Sequence, residues 1–316
     1  MRQPSSNGHR HRPVQPGLAR YLPRAVLAGL ISMTTLPLAA APLTVPAIAI
    51  PASTEHHPGK PIFAELMTPN MAASKQFYGS LFGWRFRDIT GGKAPYAEAY
   101  LGDAAVAGLV EKPIAAGDHR QPAWLNFFAT ADLDTAEQTA VQYSAKVLVA
   151  PHDLAGRGRE AILRDPQGAV FAMLTSSSGD PPDVPSPPGD WIWRSVIVPD
   201  AAADGSFYTT VFGYQLETLP SLAGEQHLLL NSDGTARASV NSRPPGRPDM
   251  PAHWLAYVHV DDVITAVSQV TALGGRILVE PRTDRHGGLI AVAADPQGAP
   301  FGLMDLSIAP ATQVTK

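Results

Sequence analysis

Glu65, Tyr257 and His259 are the residues of this 316-residue chain whose type and placement could do chemistry. Glu65 lies in the apolar run from Ile62 to Thr68, where the two-residue period of a strand turns it to the same face as Phe63. The same period turns Tyr257 and His259 to the face of Leu255 within Trp254 to Val260. A carboxylate and an imidazole that look into cavities could hold a cation, or serve as general base and acid. The plainer alternative pairs Glu65 with a neighbouring backbone group or arginine and leaves His259 in solvent at a strand end. His152, His227, His253 and His286 read as loop or strand-edge residues with no His-x-x-x-His spacing. Gly156-Arg157-Gly158-Arg159 lacks the following helix that a phosphate cradle needs, so it reads as a hairpin turn. The absence of cysteine excludes disulfides, thiolate nucleophiles and cysteine-ligated metals, and no local Ser-His-Asp signature is present.

The elements that must position these residues are written twice. Phe77-Tyr78 recurs as Phe207-Tyr208, Phe82-Gly83-Trp84 as Phe212-Gly213-Tyr214, and Trp124-Leu125 as Trp254-Leu255. Asp165-Pro166-Gln167-Gly168-Ala169 recurs as Asp295-Pro296-Gln297-Gly298-Ala299, again 130 positions on. A constant interval of this kind fixes two like units before any local reading. Each begins with a strand (Ile62 to Thr68; Trp193 to Val198), followed by a helix capped by Asn70 or Asp200 and stopped by Gly83 or Gly213. Two or three strands come next, then a strand and helix (Trp124 to Ser144; Trp254 to Leu273) and a closing strand pair reached through the Asp-Pro-Gln-Gly turn. The fold class is α+β, with two tandem modules that each repeat βαβββ internally. At helical spacing, Phe77, Tyr78 and Phe82 read as core, together with Trp84 just past the helix end.

Charged residues make up 16% of the chain and form no acidic or basic tract, which argues against a nucleic-acid partner. Residues 1–52 differ from the rest: Arg2, Arg10, Arg12, Arg20 and Arg24 precede an apolar run from Ala25 to about Ile50. That is the pattern of a signal peptide, with cleavable small-residue sites at Ala39-Ala40-Ala41 and Ala47-Ile48-Ala49, or of an N-terminal membrane anchor. Module 1 is then expected over 53–175 and module 2 over 191–308, with a tail from 309 to 316. Between the modules, residues 176–190 are rich in proline and serine, a composition expected neither to pack nor to form regular structure.

The element order, the phrase Glu65-Leu66-Met67-Thr68-Pro69 followed by Phe77-Tyr78-Gly79-Ser80-Leu81-Phe82-Gly83-Trp84, and the Asp-Pro-x-Gly turn together resemble the vicinal oxygen chelate superfamily. Glyoxalase I, extradiol dioxygenases, fosfomycin-resistance and bleomycin-binding proteins are its members. The resemblance covers nearly everything after Pro61 and is nearest to a bacterial tandem-module group. It implies a divalent metal held by His, Gln or Glu from the first strand, the strand after mid-module and the last strand. The corresponding positions here are Phe63, Leu125 and Ala172 in module 1 and Trp193, Leu255 and Gly302 in module 2. None is a ligand, and a one-residue slip brings no donor beyond the amide of Asn126.

Those six positions, with Glu65, Phe127, Tyr257 and His259, are the expected cleft lining; apolar and aromatic walls suit a flat or partly apolar ligand. The leading expectation is an exported, metal-independent protein that binds a small organic ligand, with no cofactor and with the two modules paired. One alternative is a metal-dependent lyase, isomerase or dioxygenase with relocated ligands, in which Glu65, His259 and Tyr257 are the catalytic candidates and a divalent metal is the cofactor. The other is an exported interaction protein on a degenerate scaffold.

Overall fold

The structure, a computed structural model, describes residues 43–114, 121–219, 226–284 and 288–306. The arginine-rich start, most of the apolar run and His286 lie outside the described residues. Among the described residues no helix is long and apolar enough to cross a membrane.

Module 1 runs β1 (Pro61–Thr68), α1 (Met71–Phe82), β2 (Arg85–Ile89), β3 (Tyr96–Leu101), β4 (Ala104–Glu111), then β5 (Ala123–Ala129), α2 (Leu133–Gln142), β6 (Lys146–Leu154), β7 (Gly158–Arg164) and β8 (Val170–Ser176). Module 2 repeats the order as β9 (Trp191–Val198), α3 (Ala201–Phe212), β10 (Gln215–Leu219), β11 (Gln226–Leu230), β12 (Ala236–Ser242), β13 (His253–His259), α4 (Val263–Ala272), β14 (Arg276–Thr283), β15 (Leu289–Ala294) and β16 (Pro300–Met304). Each module forms one eight-stranded mixed sheet, ordered β2-β3-β4-β1-β5-β8-β7-β6 and β10-β11-β12-β9-β13-β16-β15-β14. Three strands follow the first helix of each module, which settles the count as βαβββ twice over.

The capping residues act as their types dictate. Asn70 and Asp200 accept hydrogen bonds from the backbone N–H of Ala73 and Ala203, and Asp132 and Asp262 from Thr135 and Thr265. Gly83 and Gly213 close α1 and α3 in the left-handed region, both at φ 73°, where a β-carbon would be strained.

The motif aromatics form the seam between the modules. α1 with Phe77, Tyr78 and Phe82 packs with Val258, Val263, Val270 and Phe301 of module 2. The mirror cluster joins Phe207, Tyr208 and Phe212 to Phe128, Leu133 and Phe171 of module 1. Each such fully buried aromatic contributes about 2–3 kcal/mol relative to exposure. The repeated turn belongs to the same seam. Asp165 Oδ1 accepts from the backbone N–H of Gln167, Gly168 and Ala169 at 2.7–2.9 Å, while its Oδ2 accepts the Tyr208 hydroxyl at 2.8 Å. Tyr208 in turn accepts from Trp254 Nε1 at 2.8 Å. Asp295, Tyr78 and Trp124 repeat this relay with bonds of 3.1 and 3.0 Å.

The segment between the modules corrects the expectation of a loose linker. Ser178 and Asp180 are buried, the backbone pairs Ser53 N–H with Ser178 O (2.8 Å) and Asp180 N–H with Glu55 O (2.9 Å), and Asp183 joins both Arg237 and Lys60. Gly189 O accepts from Trp84 Nε1 at 2.8 Å. Proline preset the segment as extended, and an extended chain exposes every carbonyl and amide to a partner. Its composition signalled the lack of a period, not the lack of contacts.

Candidate functional site: two unlike clefts

In each module one sheet face carries the residues expected to line a cleft. In module 1 the registers Phe63↔Phe127, Glu65↔Leu125 and Phe127↔Ala172 set these side chains side by side on one face. Phe63, Leu125, Phe127, Ala172 and Leu174 form one buried apolar cluster. Glu65 also pairs across to Gly108, which in turn faces Glu98. Gly108 is required there, since a β-carbon would collide with the Tyr96 hydroxyl and crowd Glu65.

Arg157 dominates this cleft. It is 2% exposed, and its Nη2 donates to Glu98 Oε1 and Oε2 at 2.7 and 2.9 Å. Its guanidinium carbon stands 4.1 Å from the centre of the Phe63 ring, a cation–π contact at the first of the positions where the resemblance implies a metal ligand. The Tyr96 hydroxyl lies 3.1 Å from Glu65 Oε1 and 3.2 Å from Glu98 Oε2. A phenol has one proton to donate, so both contacts are hydrogen bonds only when one carboxyl keeps its own proton. The electrostatics agree: burial first, then the charge of Glu160, raises Glu65 to about 7 against Arg157 and Tyr96. Burial likewise raises Glu98 to about 7 although Arg157 opposes it. Burial pulls Arg157 down, but the charges of Glu98, Tyr96 and Glu65 outweigh it and leave the guanidinium above its ordinary value.

The corresponding face of module 2 carries no carboxylate at the Glu65 position. The registers Leu255↔Ser195, Tyr257↔Trp193 and Tyr257↔Gly302 repeat the geometry of module 1. Ser195 stands where Glu65 does, and its Oγ lies 2.8 Å from Ser239 Oγ. Trp193 Nε1 and Asn241 Nδ2 both donate to Ser239 Oγ at 3.1 Å. The Tyr257 ring lies against Gly302 so closely that any β-carbon would overlap it. Burial pushes the Tyr257 phenol up to about 12, against Arg282 and a hydrogen bond with Ser195. Trp193 is half-buried, whereas Ser195, Ser239, Leu255 and Tyr257 lie beneath at 8% exposure or less.

The expected site residues therefore part into two groups. Phe63, Glu65, Leu125, Phe127 and Ala172 converge in module 1, and Trp193, Leu255, Tyr257 and Gly302 in module 2. His259 joins neither: the pairing of β13 with β9 shifts register between Tyr257 and Val258, and the His259 Nδ1 sits 2.7 Å from the carbonyl of Ser186. It lines an outer groove of about 340 Å3 with Leu81, Phe82 and Asp262. Glu98, Glu160, Arg157, Tyr96, Ser195 and Ser239 were missed. The flanking glycines of Arg157 signal only a turn, whereas Glu98 had a signal in the alternation Tyr96, Glu98, Tyr100.

A divalent metal was tested against these residues. Module 1 offers carboxylates, but the guanidinium already satisfies Glu98 and lies over the Phe63 ring; module 2 offers only hydroxyls, an amide and a phenol held near 12. Among the described residues no three His, Asp or Glu side chains converge in a metal-binding group. The residues do not fit the metal centre of the superfamily.

Two coupled βαβββ modules define the class of this protein. Residues 60–173 match the model of the Glyoxalase/Bleomycin resistance protein/Dioxygenase superfamily, and residues 195–304 that of a glyoxalase-like domain. A Mycobacterium tuberculosis protein, CFP32, named as a glyoxylase, is 30% identical over 259 residues, covering 81% of this chain and 98% of its own. The anthracycline biosynthesis protein DnrV of Streptomyces peucetius is 28% identical over 265 residues, covering 80% of this chain and 95% of its own. In fold this chain is similar to the Mn(II)-bound glyoxalase of Novosphingobium aromaticivorans, with TM-score 0.57 at 15% identity over 79% of this chain and 83% of that one. The 2,3-dioxygenase LapB of Pseudomonas sp. KL28 gives TM-score 0.55 at 15% identity, over 79% and 93%. The chain belongs to the glyoxalase/bleomycin resistance/dioxygenase superfamily.

Proposed function

We propose that this protein is a metal-independent binder of a small, flat organic molecule, that the ligand enters the cleft of module 2, and that the protein works outside the cytoplasm. The observation that carries the first claim is the guanidinium of Arg157 over Phe63, because a fixed cation at that position repels a divalent one. For the cleft of module 2, support comes from the half-buried indole of Trp193 above a floor of Ser195, Ser239 and Tyr257. Such a surface stacks an aromatic ring and hydrogen-bonds its substituents without needing a charge. DnrV is named for anthracycline biosynthesis, and polycyclic aromatics are the ligand class this cleft would suit. Export rests on the five arginines before Ala25 and the apolar run that follows.

A thermal-shift screen of polycyclic aromatic compounds tests the binding claim. A ligand that prefers the folded state raises Tm. The rise is expected to be equal in EDTA and in Mn(II), and to be lost in Trp193→Ala. A rise that depends on metal, or that survives Trp193→Ala unchanged, would contradict the proposal.

A further inference from the structure

The inner face of module 1 is filled by the chain itself. Val45 and Ile48 are 1% and 7% exposed, and Ile48 packs in the same apolar cluster as Phe63, Leu125 and Phe127. Three polar contacts fix the segment: Val45 N–H donates to Ala155 O at 2.9 Å, Arg157 Nε to Pro46 O at 2.9 Å, and Ala49 N–H to Ser178 Oγ at 3.1 Å. Gly156, at φ 83°, lies so near the Val45 carbonyl that any side chain there would overlap it. On the outer side, Pro46, Ala47 and Ile50 form one wall of an open groove of about 450 Å3. One extended segment thus separates solvent from the Arg157–Glu98 pair.

We infer that module 1 contains a second small-molecule site, which residues 45–48 occupy in cis and which a neutral, apolar, carbonyl-bearing molecule fills once they are displaced. The segment marks the chemistry of the guest. Its Pro46 carbonyl takes the Nε proton of Arg157, and its Ile48 side chain fills the apolar end. An anionic guest is disfavoured because Glu65, Glu98 and Glu160 surround the one guanidinium. Module 2 has no equivalent charge set in its described residues, since Ser195 and Ile290 stand where Glu65 and Glu160 do. The inference is independent of the ligand proposed for module 2. A tethered occupant competes at an effective concentration in the millimolar range, so the intact chain masks this site from a weak ligand.

Nile red, a neutral polycyclic dye with a carbonyl, is a suitable probe on the full chain. Ile48→Asp is expected to bind one more equivalent than the unaltered chain, with an affinity for that equivalent raised about tenfold or more. Ile48→Ala should give an intermediate gain, and it carries the test if near-UV circular dichroism finds Ile48→Asp unfolded. A peptide of residues 43–52 added in trans should displace the extra dye, whereas the same peptide with aspartate at position 48 should not. Adding Trp193→Ala should leave the extra equivalent in place, which separates this site from the cleft of module 2. No extra dye in a folded variant, or extra dye that the peptide leaves bound, would overturn the inference.

Discussion

Replacing Glu65 by glutamine removes a buried charge while keeping its shape and its ability to accept the Tyr96 proton. Burial, with Glu160 behind it, holds the Glu65 carboxyl at about 7 against an ordinary 4.5. At about 1.4 kcal/mol for each tenfold change in proton affinity, that displacement amounts to roughly 3 kcal/mol. Because the folded carboxyl is the weaker acid, the folded state keeps a proton that the unfolded chain releases. Its contribution is therefore fully present below about 4.5 and is lost as pH rises through about 7. Glu65→Gln escapes that loss. The two proteins should melt together near pH 4.5 and diverge by pH 8, with the variant higher by roughly 6–12 °C at about 2–4 °C per kcal/mol. Scanning calorimetry in steps from pH 4.5 to 8 measures the difference directly. A gap that does not change with pH, or a variant that melts lower at pH 8, would refute the placement of Glu65 as a buried, proton-holding carboxyl.

Arg157→Met should destabilise by about 3–5 kcal/mol at pH 8, where Glu98 is left buried and unpaired, and by less at pH 5, where that carboxyl is protonated; urea unfolding at the two pH values checks this. Tyr208→Phe deprives both Trp254 Nε1 and Asp165 Oδ2 of a partner and should cost about 1–3 kcal/mol. Tyr78→Phe should cost a similar amount through Trp124 and Asp295, and the two losses should add in equilibrium unfolding because the relays share no residue.

The architecture was legible because the repeat carried it. Caps such as Asn70 and Asp200 and the helix stops at Gly83 and Gly213 are local signals written in residue type, and each stands in the structure where the pattern placed it. The inward faces were half legible. Period-two alternation set Phe63 with Phe127 and Leu255 with Tyr257, but it could not carry past the bulge that turns His259 towards the linker. Arg157 was hidden for a different reason. A Gly-Arg-Gly turn reads as a surface hairpin, and only the tertiary approach of Glu98, Phe63 and the Pro46 carbonyl draws the guanidinium inside. Residues 43–52 read as the end of an export segment because apolar composition alone does not distinguish a segment that leaves from one that packs. The tyrosine and aspartate of the repeated motifs were read correctly as core and turn, yet their joint role across the modules needed both copies in one frame.

Metal content is the most direct test of the account. The full chain is incubated in turn with Fe(II), Mn(II), Ni(II) and Zn(II), desalted, and measured by inductively coupled plasma mass spectrometry. With a guanidinium over Phe63 and hydroxyls in place of carboxylates at Ser195 and Ser239 of module 2, less than about a tenth of an equivalent of any metal should remain. One equivalent retained by the unaltered chain and lost in Glu65→Gln would contradict the account and make Glu65 a metal ligand.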